Sequence, residues 1–285
     1  MKTSFMTRLF AGFAAAALIT AGAGCGNGST AADTTAAANN DTQTAASDDS
    51  LQKVLDAKKL VLGLDASFPP MGFTDESNEI VGFDIDVAQE VCDRLGIELV
   101  KQPINWDTKE EDLNLGKIDC IWNGMSINAA RAEAMNLSEP YMKNEMIFVV
   151  PGDSDVKSMN DLSGKTVGVQ NGSTAQEILE ASDLYANITV TPLDDNVTLL
   201  NNMELGFSDA VFLDSVVAYY FIASNNKDFF VLPGNLEDEE YAIGFRKADQ
   251  TLRDKVQATL SEMKADGKLA EISTKWFGSD VTTVK

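Results

Sequence analysis

Ile118-Asp119-Cys120-Ile121-Trp122-Asn123-Gly124-Met125-Ser126-Ile127-Asn128-Ala129-Ala130-Arg131 reads as an apolar strand that ends at Asn123, turns at Gly124 and opens a helix. Asn128 is placed to cap that helix, because its side chain can accept from a backbone N–H two or three residues on. Arg131 then falls in the first helical turn, where a cation opposes the helix dipole instead of complementing it. Local propensity gives no reason for an arginine there. In one reading it awaits a guest: the α-carboxylate of a small molecule would meet a planar five-donor fork, the first amides of the helix and the Ser126 hydroxyl. In the other it reaches solvent or pairs with Glu133 or Glu139. The stretch alone leaves both open.

The same pattern recurs along the chain. Leu60-Val61-Leu62-Gly63-Leu64 is a short apolar strand ending at Asp65, and Phe68-Pro69-Pro70 forces extended or turn geometry after it. Thr166-Val167-Gly168-Val169 feeds Gln170-Asn171-Gly172-Ser173-Thr174, where Thr174 and Glu177 have capping-box spacing. Asp209 to Asp214 is an apolar strand running into a helix from Ser215, and Asp214 either caps that helix or faces an ammonium. At both places the cap is the plainer reading. Asp84 and Asp86 open another amphipathic helix; without the glycine and distal glutamate of a calcium loop, they are expected to cap it and complement its dipole. Gly164-Lys165-Thr166 is no phosphate loop, since Met159 stands where the first glycine would be. Further strands are expected at 97–103, 147–150 and 241–245, and helices at 109–115, 158–162, 251–266 and through Ile272 to Gly278, with an acidic loop at 237–240. Strands alternating with helices imply an α/β fold with largely parallel sheets, in which ligands sit beyond the carboxyl ends of strands. Asp65, the stretch from Asn123 to Arg131, Gln170 to Thr174, and Asp214 all stand at such ends.

Composition removes whole classes of chemistry. The 285 residues carry a net charge of −22 and no histidine. That rules out Ser-His-Asp and Cys-His catalysis and histidine zinc helices, and the acidic balance disfavours nucleic acid as a partner. Cys25, Cys92 and Cys120 have no Cys-x-x-Cys spacing; the last two read as buried core thiols, with a disulfide between them as the alternative that spacing leaves open. Lys2 and Arg8 precede an apolar run too short to span a bilayer comfortably, followed by small residues up to Cys25, which reads as a secretory signal. From Gly26 to about Ser50 no large apolar residue occurs, so a flexible spacer is expected, with folding from Leu51.

The order Leu18 to Cys25 resembles a bacterial lipoprotein signal, with Gly22 where an aliphatic residue is usual; this implies an acylated Cys25 as the first mature residue. From about Leu51 to Asp280 the chain resembles the bacterial extracellular solute-binding proteins of family 3, the polar amino-acid receptors of ABC importers. The segments that carry the likeness are Gly63 to Pro70, Val81 to Asp86, Gly116 to Asp119, Gly124 to Ile127, Ser138 to Tyr141, Leu162 to Val169 and Lys275 to Gly278. The resemblance implies a two-lobed, type II periplasmic-binding-protein-like fold with two hinge strands. It divides the chain into a signal (1–24), a lipid-anchored linker (25–50), lobe one (51–143 plus 243–285) and lobe two (144–242). It also implies roles: Arg131, Ser126 and Thr174, with Ser173 beside them, on the ligand α-carboxylate, and Asp214 with the Gly124 carbonyl on the α-ammonium. Phe68 and Trp106 would sandwich the ligand side chain, and Asp65, Asn123 and Gln170 would read its polar end. Gln170 stands where the glutamine-receptor pattern has lysine. The expected ligand is a free polar amino acid, glutamine or a basic one first, delivered to the membrane permease of an ABC importer. The protein would be an exported monomer tethered to the outer face of the cytoplasmic membrane, with no cofactor, metal or catalytic residue. The alternatives are an exported lyase of the cyclohexadienyl dehydratase kind, which would need a carboxylate as its acid, and a sensory module.

Overall fold

Two ten-residue strands, Met142–Pro151 and Glu237–Arg246, carry the chain between two α/β lobes. The computed structural model describes residues 48–285. In chain order the elements are α1 (Ser50–Ala57), β1 (Lys59–Leu64), a small antiparallel sheet of β2 (Ser67–Phe68), β3 (Gly72–Thr74) and β4 (Ile80–Val81), α2 (Phe83–Leu95) and β5 (Glu98–Pro103). A 3-10 turn at Trp106–Thr108 leads to α3 (Lys109–Asn114), β6 (Cys120–Ser126), α4 (Ala129–Ala134), β7 (Met135–Leu137) and β8 (Met142–Pro151). Then come β9 (Thr166–Gln170), α5 (Thr174–Ala181), β10 (Thr189–Leu193), α6 (Asn196–Glu204), β11 (Ala210–Asp214), α7 (Ser215–Asn225) and β12 (Phe229–Val231). The chain returns through β13 (Glu237–Arg246) to α8 (Gln250–Ala265) and α9 (Lys268–Phe277).

The main sheet runs β10-β9-β11-β8-β13-β6-β1-β5. Its wings are parallel, β5-β1-β6 on one side and β10-β9-β11 on the other, and β8 and β13 join them antiparallel. The first half of β13 pairs with β8, and its second half leaves β8 to pair with β6. A strand shared in this way is what lets two lobes turn about a common seam. Strands β6 and β11 are buried along their whole length, which is why both read as unbroken apolar runs. Fully burying side chains such as Leu62, Phe148 and Phe212 stabilises the fold by about 1.5–3 kcal/mol each before ordering entropy is counted.

The structure departs from the sequence reading in several places. Glu237 to Glu240 is the start of β13 and no loop; cross-strand pairing with Lys143 to Met146 supplies its backbone hydrogen bonds whatever the side-chain charge. Glu237, Asp238 and Glu240 face solvent, whereas Glu239 points inward. At the end of the expected spacer, Ser50 begins α1; its hydroxyl lies 3.0 Å from that of Thr251, and the Asp48 carboxylate accepts from the Thr251 N–H. The signal, most of the spacer and Cys25 lie outside the described residues. Asp84 and Asp86 stand in the first turn of α2 but make no cap bond. Asp84 turns into the core, while Asp86 accepts from Trp276 Nε1 at 2.7 Å and from Lys275 Nζ at 2.6 Å. Cys92 and Cys120 are buried free thiols, and burial pushes the Cys92 thiol up to about 12. No helix among the described residues is long and apolar enough to cross a membrane.

Candidate functional site

Asn128 caps α4 as its sequence predicts, accepting from the Arg131 N–H at 2.8 Å. That cap sets the start of the helix and turns Arg131 inward, where only 3% of the residue is exposed. Its Nη1 donates to the Ser126 carbonyl at 2.9 Å and to the Thr174 hydroxyl of the other lobe at 2.7 Å. Among the described residues no carboxylate oxygen lies within 4.0 Å of the guanidinium, so neither Glu133 nor Glu139 pairs with it. Burial lowers its pKa for the same reason: the charge has left water without a counter-ion. Lys109 is a second buried cation beside it. Its ammonium donates to the Trp106 carbonyl at 3.1 Å and, across the lobes, to the Gly172 carbonyl at 2.9 Å; burial, then Arg131, brings its pKa down to about 8.

Asp214 sits opposite this cation pair at the end of β11. It occupies the cap position of α7 but makes no cap bond, contrary to the plainer sequence reading. Two better donors hold it instead: Tyr241 Oη at 2.6 Å and Asn144 Nδ2 at 2.8 Å, both on the hinge strands and both to Oδ1. Asn144 Nδ2 also donates to Glu239 Oε2 at 3.2 Å, and the Ser126 hydroxyl donates to that same oxygen at 2.8 Å. The other oxygen, Glu239 Oε1, is buried with no hydrogen-bond partner among the described residues. Burial raises both carboxyls above the ordinary range, and Asp214 raises Glu239 further.

Gly124 lies between the two poles with φ +56, a backbone state that favours glycine. A Cβ there would stand 2.8 Å from Phe68 Cε1, so the glycine also lets the ring close over it. Behind it, buried Asp84 accepts from the Gly124 N–H at 2.8 Å and from Tyr141 Oη at 2.9 Å, and desolvation pushes its pKa up to about 7. At the far end Asp65 accepts from Gln170 Nε2 at 2.8 Å across the lobes and from the Ser67 N–H at 2.9 Å; burial raises its pKa to about 6.

Phe68, Trp106, Gly124, Ser126, Arg131, Gln170, Ser173, Thr174 and Asp214 therefore line one cavity, together with Met146, which sequence reasoning did not single out. Asp65 reaches it through Gln170. Asn123 does not line it: its Oδ1 accepts from the Asp65 N–H at 3.0 Å, so it braces Asp65 from behind. The expected capping box at Thr174 and Glu177 does not form; the cap is a single bond one residue earlier, and Gln176 Oε1 accepts from the Gly172 N–H. Ser173 has the extended backbone of an N-cap and accepts from the Gln176 N–H, which leaves the Thr174 hydroxyl to Arg131 and Glu177 to Asn128. Lys109, Asn144, Glu239 and Tyr241 were missed. Three of them stand on hinge strands, and only the alternation of β13 could have marked Glu239 as inward.

The profile of the bacterial extracellular solute-binding proteins, family 3, matches residues 60–279. The chain is 30% identical over 234 residues to the L-cystine-binding protein TcyJ of Escherichia coli (strain K12), covering 81% of this chain and 87% of the relative. It is 31% identical over 224 residues to the arginine-binding extracellular protein ArtP of Bacillus subtilis (strain 168), covering 77% and 86%. Among solved structures, an ABC uptake transporter substrate-binding protein from Streptococcus pneumoniae with bound histidine superposes with a TM-score of 0.80 at 37% identity, over 83% of this chain and 99% of that one.

Proposed function

The chain belongs to the bacterial extracellular solute-binding proteins of family 3, and from that premise we propose that it captures a free polar amino acid between its lobes and delivers it to an ABC importer. The observation that carries this reading is the buried, carboxylate-free guanidinium of Arg131 facing the buried carboxyl of Asp214 in one cavity. A zwitterion has one group for each. Its carboxylate would join Arg131 and the Thr174 hydroxyl at the start of α5, with Ser126 and Ser173 beside them. Its ammonium would join Asp214 and the Gly124 carbonyl. Because Arg131 belongs to one lobe and Thr174 and Asp214 to the other, only the closed arrangement satisfies both ends, and a ligand that prefers the closed state drives the hinge toward it.

The side chain of the amino acid would lie between Phe68 and Trp106 and end near Asp65 and Gln170. Asp65 suits a cationic end and Gln170 an amide. A basic amino acid or glutamine comes first, a preference supported by relatives named for arginine and histidine, while TcyJ keeps cystine in the comparison. The matched relatives are binding proteins, which favours capture over the lyase alternative. Tethering through an acylated Cys25 to the outer face of the cytoplasmic membrane completes the proposal. Its test is a calorimetric titration with L-arginine, its decarboxylated amine and its N-acetyl derivative. Binding of the free amino acid with loss of both analogues supports it; equal binding of either analogue contradicts it.

A further inference from the structure

Glu239 has no role in holding a zwitterion, yet it stands among the groups that do. Its Oε2 is 2.8 Å from the Ser126 hydroxyl and 3.2 Å from Asn144 Nδ2, and its Oε1 is buried without a partner among the described residues. Only 7% of the residue is exposed. A serine hydroxyl has one proton to give. While Glu239 is ionised it takes that proton, and Ser126 cannot also donate to a ligand carboxylate.

We propose that Glu239 carries a proton when the amino acid is bound, and that it acts as a positioning residue, donating to Ser126 Oγ so that the Ser126 hydroxyl turns to the ligand carboxylate. The proton comes from solvent on binding and returns there on release. It resides on Glu239 and not on Asp214, because Asp214 faces the ligand ammonium and accepts at 2.6 and 2.8 Å, whereas Glu239 accepts at 2.8 and 3.2 Å and its second oxygen, Oε1, is buried without a partner among the described residues. The charged surroundings agree. Arg131 on α4 is the cation acting on Glu239 and Asp214 on β11 the anion; Glu177 on α5 and Glu237 on its own strand line the same groove, whereas Lys143 and Glu145 on β8 pair with Glu240 and Asp238 and lie on the other face of the ladder from Glu239 and its partner Asn144. From α7 come only Ser215 and Tyr219. Burial and Asp214 raise the Glu239 carboxyl, in the direction the proposal needs.

The inference rests on amino-acid capture at Arg131 and Asp214. Its test is calorimetry with L-arginine, and with L-histidine, L-glutamine or L-cystine if arginine does not saturate, in buffers of different ionisation heat on the alkaline side of neutrality. There the free protein has Glu239 ionised, so binding should take up close to one proton and affinity should fall by up to about tenfold per pH unit as pH rises. Glu239→Gln, whose amide donates to Ser126 as the protonated acid would, should bind without proton uptake and keep its affinity over the same range. Glu239→Ala should bind more weakly than Glu239→Gln. Wild-type binding with no proton uptake overturns the proposal even if the variants do not fold, as does a Glu239→Gln profile that keeps the wild-type slope. Absence of binding by all four amino acids to folded protein would fail the capture reading too; binding without protons fails this inference alone.

Discussion

Arg131 Nη1 donates to the Thr174 hydroxyl at 2.7 Å, so a guanidinium with no carboxylate oxygen within 4.0 Å among the described residues joins the first turn of a helix in one lobe to the first turn of a helix in the other. A buried charge kept without a counter-ion costs stability, and that cost points to a ligand that supplies the missing charge.

Arg131→Met should therefore separate stability from binding. The ligand-free protein is expected to melt at the same temperature as the parent or higher, because an uncompensated buried charge has been removed. Amino-acid binding should weaken by at least about 3 kcal/mol, more than a hundredfold. Thermal denaturation and calorimetry on the same sample measure both.

At the other pole, Asp214 has its carboxyl raised by burial, and the arriving ammonium favours the ionised form. The pKa is thus higher in the free protein than in the complex. Binding on the acid side releases a proton, and affinity falls as pH drops through the free-state value. Asp214→Asn should lose this acid limb along with most of the affinity, about 2 kcal/mol or more. Titrations from mildly acidic to neutral pH would test it, and an unchanged acid limb in the variant would refute the assignment.

Asp65→Asn should leave the ligand's two charged poles untouched and change the order of preference. Basic amino acids are expected to lose about 1–3 kcal/mol and amides far less. A competition series across arginine, ornithine, glutamine and citrulline would show it. Equal loss for every ligand would contradict the division between poles and side-chain end.

Asp84 links site geometry to stability. Its pKa is raised by desolvation from 3.8 to about 7, so its contribution to stability is full below the unfolded value and is lost as pH rises through the folded one. The melting temperature of the parent should decline from mildly acidic to neutral pH, and the decline should be shallower in Asp84→Asn. Asp84→Ala leaves the Gly124 N–H and Tyr141 Oη without their buried acceptor and should cost about 2–4 kcal/mol. Denaturant unfolding at several pH values gives both quantities.

Much of this site could be read before the fold was known, for a physical reason. Arg131 violates the helix dipole, Gly124 interrupts an apolar strand, and Asp65, Gln170 and Asp214 end strands; each breaks a local rule, and such breaks gather at functional sites. What escaped is what obeys local rules. Glu239 lies in an acidic run that reads as solvated loop, and only its pairing with β8 turns alternate residues inward. Ser173 and Thr174 are both good caps, so spacing could not decide which would hold the helix and which would be left for Arg131. Asn144 and Tyr241 gain meaning only when the two hinge strands bring them to Asp214 from far along the chain. Asn123 stands at a strand end as expected, yet braces Asp65 instead of facing the cavity.

The most direct test of the central claim is a thermal-shift screen of the folded protein against the proteinogenic amino acids with ornithine, citrulline and cystine. A ligand present at about a hundred times its dissociation constant adds about 2.7 kcal/mol to stability. The account predicts a raised melting temperature for one class of polar amino acid, abolished by Arg131→Met. Unchanged melting with every amino acid, or a shift that survives loss of Arg131, would contradict it.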